Sequence, residues 1–140
     1  MKKIYITTPI YYVNDNLHIG HAYTTILADV INRFYNITGN ESFMLTGSDE
    51  HGQKVQEAAN KRGVSPIEHV DEYVLRFTKL WSKLNIKYDD FIRTTENRHV
   101  NRVKDMLMDL WERDEIYLMI CLKSPSSISL SVIKRSSEIE

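Results

Sequence analysis

Two histidines three residues apart, His18 and His21, enclose Ile19 and Gly20. On a helix that spacing sets both imidazoles on one side. They stand where a polar loop gives way to a long apolar-periodic segment, so they fall in the first turn of a predicted helix. A helix N-terminus offers unpaired N–H groups and partial positive charge, a natural seat for phosphate. Two imidazole N–H donors added there would hold negative charge developing on a phosphoryl group. Gly20, without a side chain, would let a flat base or a sugar approach the backbone. The residues alone leave two other readings open. The pair can be an accident of an amphipathic helix, or half of a metal site, for which His-x-x-His without a third ligand is a weak signature.

The elements that must position this pair follow from pattern. Ile4 to Thr8 reads as a short strand closed by Pro9. Ile19, Tyr23, Ile26, Leu27, Val30, Ile31 and Phe34 recur on one helical face, with Asn16 as candidate N-cap and Gly39 as stop. Ser42 to Thr46 reads as a second strand running into Gly47-Ser48-Asp49-Glu50-His51-Gly52. A short helix from Gln53 to Lys61 should end at Gly63. Ser65, Pro66 and Glu68 then supply an N-cap, a proline at the first helical position and a capping box. Behind them Ile67, Val70, Val74, Phe77, Leu80, Trp81 and Leu84 form the apolar stripe. Phe91-Ile92 reads as a third strand, and Thr94 or Thr95 as the cap of a helix through Val100, Val103, Leu107, Leu110 and Trp111.

Strands alternating with helices across such long connections predict an α/β fold, a parallel sheet with helices on both faces. In such sheets ligands gather beyond the carboxyl ends of the strands. Both polar clusters, 9–21 and 47–52, fall there. Composition sets the outer bounds. The chain has 140 residues, 42% of them hydrophobic and 26% charged, and a net charge of −1. That is ordinary globular usage, without the basic excess of a nucleic-acid coat protein. One cysteine, Cys121, excludes an intrachain disulfide framework. No apolar run spans a bilayer and no signal-peptide h-region is present, so the expected compartment is cytoplasmic, with no membrane partner.

Three segments together go further. Thr7-Thr8-Pro9-Ile10-Tyr11-Tyr12-Val13-Asn14-Asp15 precedes the histidine box, Gly47-Ser48-Asp49-Glu50-His51-Gly52-Gln53 follows it, and Phe91-Ile92-Arg93-Thr94-Thr95-Glu96 lies further on. From about Lys3 to Tyr117 the chain resembles methionyl-tRNA synthetases, class I aminoacyl-tRNA synthetases. The resemblance implies the N-terminal half of a Rossmann-like catalytic domain. Such a domain activates methionine with Mg-ATP to methionyl-adenylate and passes the methionyl group to tRNA(Met). It implies that His18, Gly20 and His21 bind ATP, with both histidines stabilising the α-phosphate region during in-line displacement at phosphorus. Neither needs to shuttle a proton. It implies further that Ile10 and Tyr12 wall the methionine side chain, a surface suited to a soft thioether, and that Asp49 receives the substrate ammonium. On the residues alone Asp49 serves equally well as a cap of the following helix. Gly52 reads as a backbone requirement, and His51 stays open between site lining and helix-start packing. His69 and His99 read as surface or half-buried, Met106 and Met108 as packing, and Lys61-Arg62 as a solvated helix end.

The chain also departs from that family. The second ATP signature, Lys-Met-Ser-Lys-Ser, is missing, and Lys134-Arg135-Ser136-Ser137 is only an echo of it. The paired zinc-binding cysteines of many members are absent, and no other metal ligands are expected. Residues 1–118 thus read as the N-terminal part of the catalytic domain, and 119–140 as a Ser-rich, non-family tail in which 127–133 alternates like a strand without an evident partner. A frameshifted, truncated or misread frame is the expectation, and sequencing the locus tests it. Without a C-terminal half the chain is expected to be inactive alone, with sheet edges and an apolar face exposed. The competing classes are a small nucleotidyltransferase with a His-x-Gly-His box, a non-catalytic nucleotide- or tRNA-binding fragment, and an inactive gene remnant.

Overall fold

The computed structural model describes residues 2–14, 16–124 and 127–134, with side chains described as far as Tyr117. Asp15 and residues 135–140, including most of the Lys134–Ser137 echo, lie outside the described residues. The chain forms two compact units, Met1–His99 and Val100–Glu140.

In the first unit β1 (Lys3–Thr7), β2 (Tyr11–Tyr12), β3 (Glu41–Asp49) and β4 (Asp90–Arg93) form one sheet in which every pairing is parallel. Leu45 pairs with Thr7 and Asp90, and Ser48 with Tyr11 and Arg93. A strand residue has one neighbour on each side, so β1 and β2 run in line along one edge of β3 and β4 along the other. β3 is longer than its composition suggests. Gly47 belongs to it because the backbone of β4 comes close: a Cβ there would sit 2.1 Å from the Ile92 carbonyl oxygen.

The connecting helices are α1 (Ile19–Ile37), α2 (Gln53–Arg62) and α3 (Pro66–Lys83). The Ser65–Glu68 capping box, Pro66 in the first turn and the left-handed Gly63 that ends α2 (φ 69°) all form as the sequence predicts. The core gathers Tyr11, Val13, Met44, Val55, Val70, Tyr73, Phe77 and Trp81. Within α3, Val70, Phe77 and Trp81 are buried as expected, whereas Ile67 and Leu84 are exposed.

The first helix departs from expectation. Its buried residues are Thr25, Ala28, Asp29 and Asn32, while its apolar stripe from Ile19 to Phe34 is exposed. Periodicity tells which residues share a face, not what that face meets. Here the polar face meets the sheet because it has partners there. Thr25 bonds the Tyr11 hydroxyl at 2.8 Å, and Asn32 accepts from the Ser42 hydroxyl at 2.6 Å. The Asp29 carboxylate accepts from the Lys87 backbone N–H at 3.0 Å and from Arg33 at 2.8 Å. Helices α1 and α3 thus cover the face of the sheet bearing Tyr11 and Ser48. On the opposite face Tyr5 stacks on Phe43 at 5.9 Å and both stay exposed. Of the two helical layers expected, residues up to 99 supply one, consistent with an incomplete sheet.

The next helix, α4 (Asn97–Glu112), begins in the first unit and has no buried residue, so Met106 and Met108 are exposed rather than packed. Thr94 and Thr95 do not cap it; both are drawn to Glu50, as described below. In the second unit β5 (Ile116–Ser124) pairs antiparallel with β6 (Ser127–Lys134), with Ile120 opposite Leu130. The alternating segment 127–133 therefore does have a partner, the stretch just before it. No helix of the described residues is long and apolar enough to cross a membrane.

Candidate active site

The start of α1 is built from its two histidines. His18 itself is the N-cap, in extended backbone conformation, and not Asn16 as the residue preferences suggested. The Gly20 N–H donates to His18 Nδ1 at 3.1 Å, and the His18 N–H donates to His21 Nδ1 at 3.1 Å. This is a capping box in which imidazoles replace the usual hydroxyl and carboxylate. A backbone N–H can only donate, so both Nδ1 atoms are acceptors. In each neutral ring the hydrogen therefore sits on Nε2. The cap thus sets both tautomers and leaves two Nε2–H groups, on rings whose centroids are 3.9 Å apart. Gly20 belongs to the same device: a Cβ at that position would stand 2.9 Å from His18 Cε1.

His21 is held by packing. Its ring meets Tyr11 edge-on at 4.9 Å and Phe77 at 5.8 Å. A cleft of about 330 Å³ opens beside it, lined by Ile10, Tyr11, Tyr12, Asn14, Asn16, His18 and His21. The structure therefore brings together four of the predicted site residues: Ile10, Tyr12, His18 and His21. Gly20 lies in the adjoining helical turn.

Asp49 does not line this cleft. It is the last residue of β3 and pairs with Tyr12, so the two share the face opposite Tyr11 and Ser48. Its carboxylate is half-buried and receives the His51 N–H at a long 3.5 Å. The alternative role as helix cap is not taken up: the N-cap of α2 is Gly52, at φ 112°, with no side-chain cap bond. Gly52 is thus a backbone requirement as expected. His51 resolves toward site lining. It borders a second cleft of about 540 Å³ with Tyr12, Asn14, Gly52, Gln53, Lys54 and Glu57. Its Nε2 lies 3.2 Å from the Thr94 carbonyl, which fixes that nitrogen as the donor.

Sequence reasoning missed the support beneath this rim. The Glu50 side chain is wholly buried. Its Oε1 accepts from the Ser48 hydroxyl at 2.6 Å and from Arg93 Nε at 2.7 Å, and its Oε2 accepts from the Thr95 hydroxyl. The Glu50 N–H donates to Thr94 Oγ1 at 2.9 Å, and Arg93 reaches on to Asp71 at 2.6 Å. The Glu50 hydrogen bond, more than any other contact, holds the Arg93 guanidinium above its ordinary value. The only sequence signal was an acidic residue inside a strand-end cluster, since buried carboxylates are nearly always paired.

Partial burial, and then the neighbouring His18, hold the His21 imidazole below its ordinary value of 6.5. The unfolded chain therefore takes up the proton first as pH falls. His21's share of stability is complete above 6.5 and is lost as pH drops from there through the folded value. Protonation at Nδ1 would also set a donor against the His18 N–H. The melting temperature is expected to fall as pH is lowered from about 7.5 to about 5, and His21→Leu should flatten that slope. Equal slopes in the two proteins would remove His21 from the account.

A family model described as class I tRNA synthetases (M) matches residues 4–123. The chain belongs to that family. The class I synthetase match reaches into the segment past residue 118. Among curated relatives, the methionine–tRNA ligase of Clostridium perfringens is 53% identical over 116 residues, covering 83% of this chain and 18% of the relative. That of Campylobacter jejuni is 52% identical over 113 residues, 81% of this chain and again 18% of the relative. The chain thus spans under a fifth of the length of these relatives. Among solved class I synthetases, the methionyl-tRNA synthetase of Mycobacterium tuberculosis in complex with methionyl-adenylate superposes with a TM-score of 0.84 at 29% identity. It covers 96% of this chain and 31% of that one. A LeuRS of Agrobacterium radiobacter K84 shares the fold with a TM-score of 0.78 at 23% identity, over 85% of this chain and 16% of its own. Among the described residues no group of three or more His, Cys, Asp or Glu gathers as a metal site.

Proposed function

We propose that this chain carries the histidine half of a methionine–tRNA ligase active site. The observation that supports the reading is the imidazole capping box: it sets two Nε2–H donors at the positive end of α1, beside a cleft at the carboxyl edge of a parallel sheet. In the reaction a methionine carboxylate oxygen attacks the α-phosphorus of ATP. The bond from that phosphorus to the pyrophosphate oxygen breaks, leaving methionyl-adenylate. Charge grows on the α-phosphate oxygens, and His18 and His21 donate to them without giving up a proton. Magnesium enters with ATP as part of the substrate. Ile10 and Tyr12 form the apolar wall for the thioether, and Asp49 receives the ammonium. The methionyl group then passes to tRNA(Met).

The clamp on the β- and γ-phosphates lies outside this sequence, so the chain alone is expected to show no methionine-dependent ATP–pyrophosphate exchange. Mixed with the remaining part of the Clostridium perfringens relative, it should recover exchange. Exchange by the chain alone, or none on mixing with a folded partner half, overturns this division of labour.

Asp49→Asn tests the ammonium contact. A hydrogen bond to a charged group contributes about 1.5–3 kcal/mol, so methionine affinity should fall about 10- to 150-fold, with ATP affinity unchanged. Calorimetric titration on the reconstituted protein reads both, and an unchanged methionine affinity removes Asp49 from the site.

A further inference from the structure

We propose that α3 is a clamp for the histidine pair, and that His69 and Arg76 are positioning residues acting through the segment between β2 and α1. The sequence suggested a surface or half-buried His69, yet it is fully buried. Both ring nitrogens are engaged: Nδ1 with Arg62 at 2.9 Å and Nε2 with the Val13 carbonyl at 2.8 Å. Arginine only donates, so Nδ1 accepts and Nε2–H donates to Val13. Two turns along the same helix, Arg76 donates to Asn16 Oδ1 at 2.7 Å. One residue further, Phe77 meets the His21 ring edge-on. Helix α3 therefore touches this segment at Val13 and Asn16 and touches His21 directly.

The clamp is itself braced. Glu72 pairs with both Arg62 and Arg76, and Tyr73 stacks on His69 at 4.4 Å while the Arg76 guanidinium lies 4.5 Å from the centroid of the Tyr73 ring. Arg62 is thus part of a network while standing, as expected, at the exposed end of α2. The reason for such bracing is geometric. The described residues of the segment leading to His18 belong to no helix or strand, so partners outside the segment help to fix where the cap begins. A buried carbonyl such as that of Val13 must find a donor, and His69 supplies it from one orientation.

The functional arm of this proposal rests on the reading of His18 and His21 as phosphate-facing donors; the structural arm does not. The test uses the full chain with His69→Leu, which removes the donor, His69→Gln, whose amide reaches the same carbonyl, and Arg76→Met. Nitrogen–proton correlation spectra of the imidazoles, recorded above the ordinary histidine range of about 6.5, report the tautomers without any ligand. Wild type and His69→Gln are expected to show both rings as Nε2–H. His69→Leu and Arg76→Met should show mixed tautomers at His18 and His21. In the reconstituted exchange assay these two should lower kcat up to about 100-fold and leave the KM for methionine unchanged, whereas His69→Gln should keep near wild-type kcat. If His69→Leu does not fold, Arg76→Met carries the test, since its half-exposed ion pair contributes little to stability. Unchanged ring signals in a folded variant overturn the clamp. Altered tautomers in the variants, together with no exchange activity in the reconstituted wild type, leave the clamp standing and overturn the catalytic reading instead.

Discussion

Replacing His18 or His21 with alanine is expected to lower the exchange rate of the reconstituted enzyme by about 10²–10³-fold, the usual cost of one preorganised donor to a developing oxyanion. Two features of the geometry sharpen this. First, the donors are Nε2–H groups whose tautomers are set by the backbone of the same turn. Losing either ring removes one donor and the packing at 3.9 Å that steadies the other, although the backbone N–H that sets the remaining tautomer is kept. The double variant should therefore lose little more than the worse single variant, the non-additivity expected of groups acting as a unit. Second, neither ring belongs to the proposed methionine wall, so the KM for methionine should stay within about twofold while kcat collapses, the signature of an interaction made only in the transition state. Measuring kcat and KM for exchange across the three variants decides the matter. Independent, additive losses would show that the two rings do not cooperate, and a rise in KM alone would move them from catalysis to substrate binding.

The largest effect on stability is expected at Glu50. Removing one partner of a buried ion pair leaves the other charge uncompensated and costs about 3–5 kcal/mol. Here Glu50→Ala would leave Arg93 only its outer partner Asp71 and release the hydroxyls of Ser48 and Thr95 together. Against a total stability of about 5–15 kcal/mol, that brings the domain near its unfolding limit. Arg98→Ala is the contrast. Arg98 pairs with Asp90 and Glu96, but its side chain is 49% exposed, so its loss should scarcely move the unfolding midpoint. Urea denaturation of both variants measures the two numbers. If Glu50→Ala proves as mild as Arg98→Ala, the cluster does not hold the strand ends together.

What the sequence revealed and what it hid divide along one physical line. Signals written within a few residues were readable: the Ser65–Glu68 box, the left-handed Gly63 and the i, i+3 placement of His18 and His21. Features whose partner lies far along the chain were not. Thr94 and Thr95 look like local caps because a threonine next to a helix usually is one, yet the Glu50 backbone N–H and carboxylate that they respectively bind are more than forty residues away. His69 looked peripheral because nothing near it in sequence announces the Val13 carbonyl, 56 residues earlier. The stripe of α1 was read correctly as one face, but the pattern alone did not say that this face stays exposed, since amphipathicity carries no address. Histidine as an N-cap defeated residue preference altogether, because imidazole nitrogen rarely takes that part. Of the candidate site, the pair and its apolar neighbours were legible, whereas the second layer that steadies them was not.

The wholly parallel pairing of the first unit also constrains the order of events at synthesis. Thr8 meets Thr46 across 38 residues, and no two strands of that sheet are joined by a hairpin. Nothing in the sheet can zip from a local turn. Helix α1 must be present before β1 finds β3, and β4 can join only after α2 and α3 have emerged. On the ribosome the histidine box would therefore leave the exit tunnel early and wait, unsupported, for the chain that completes its platform.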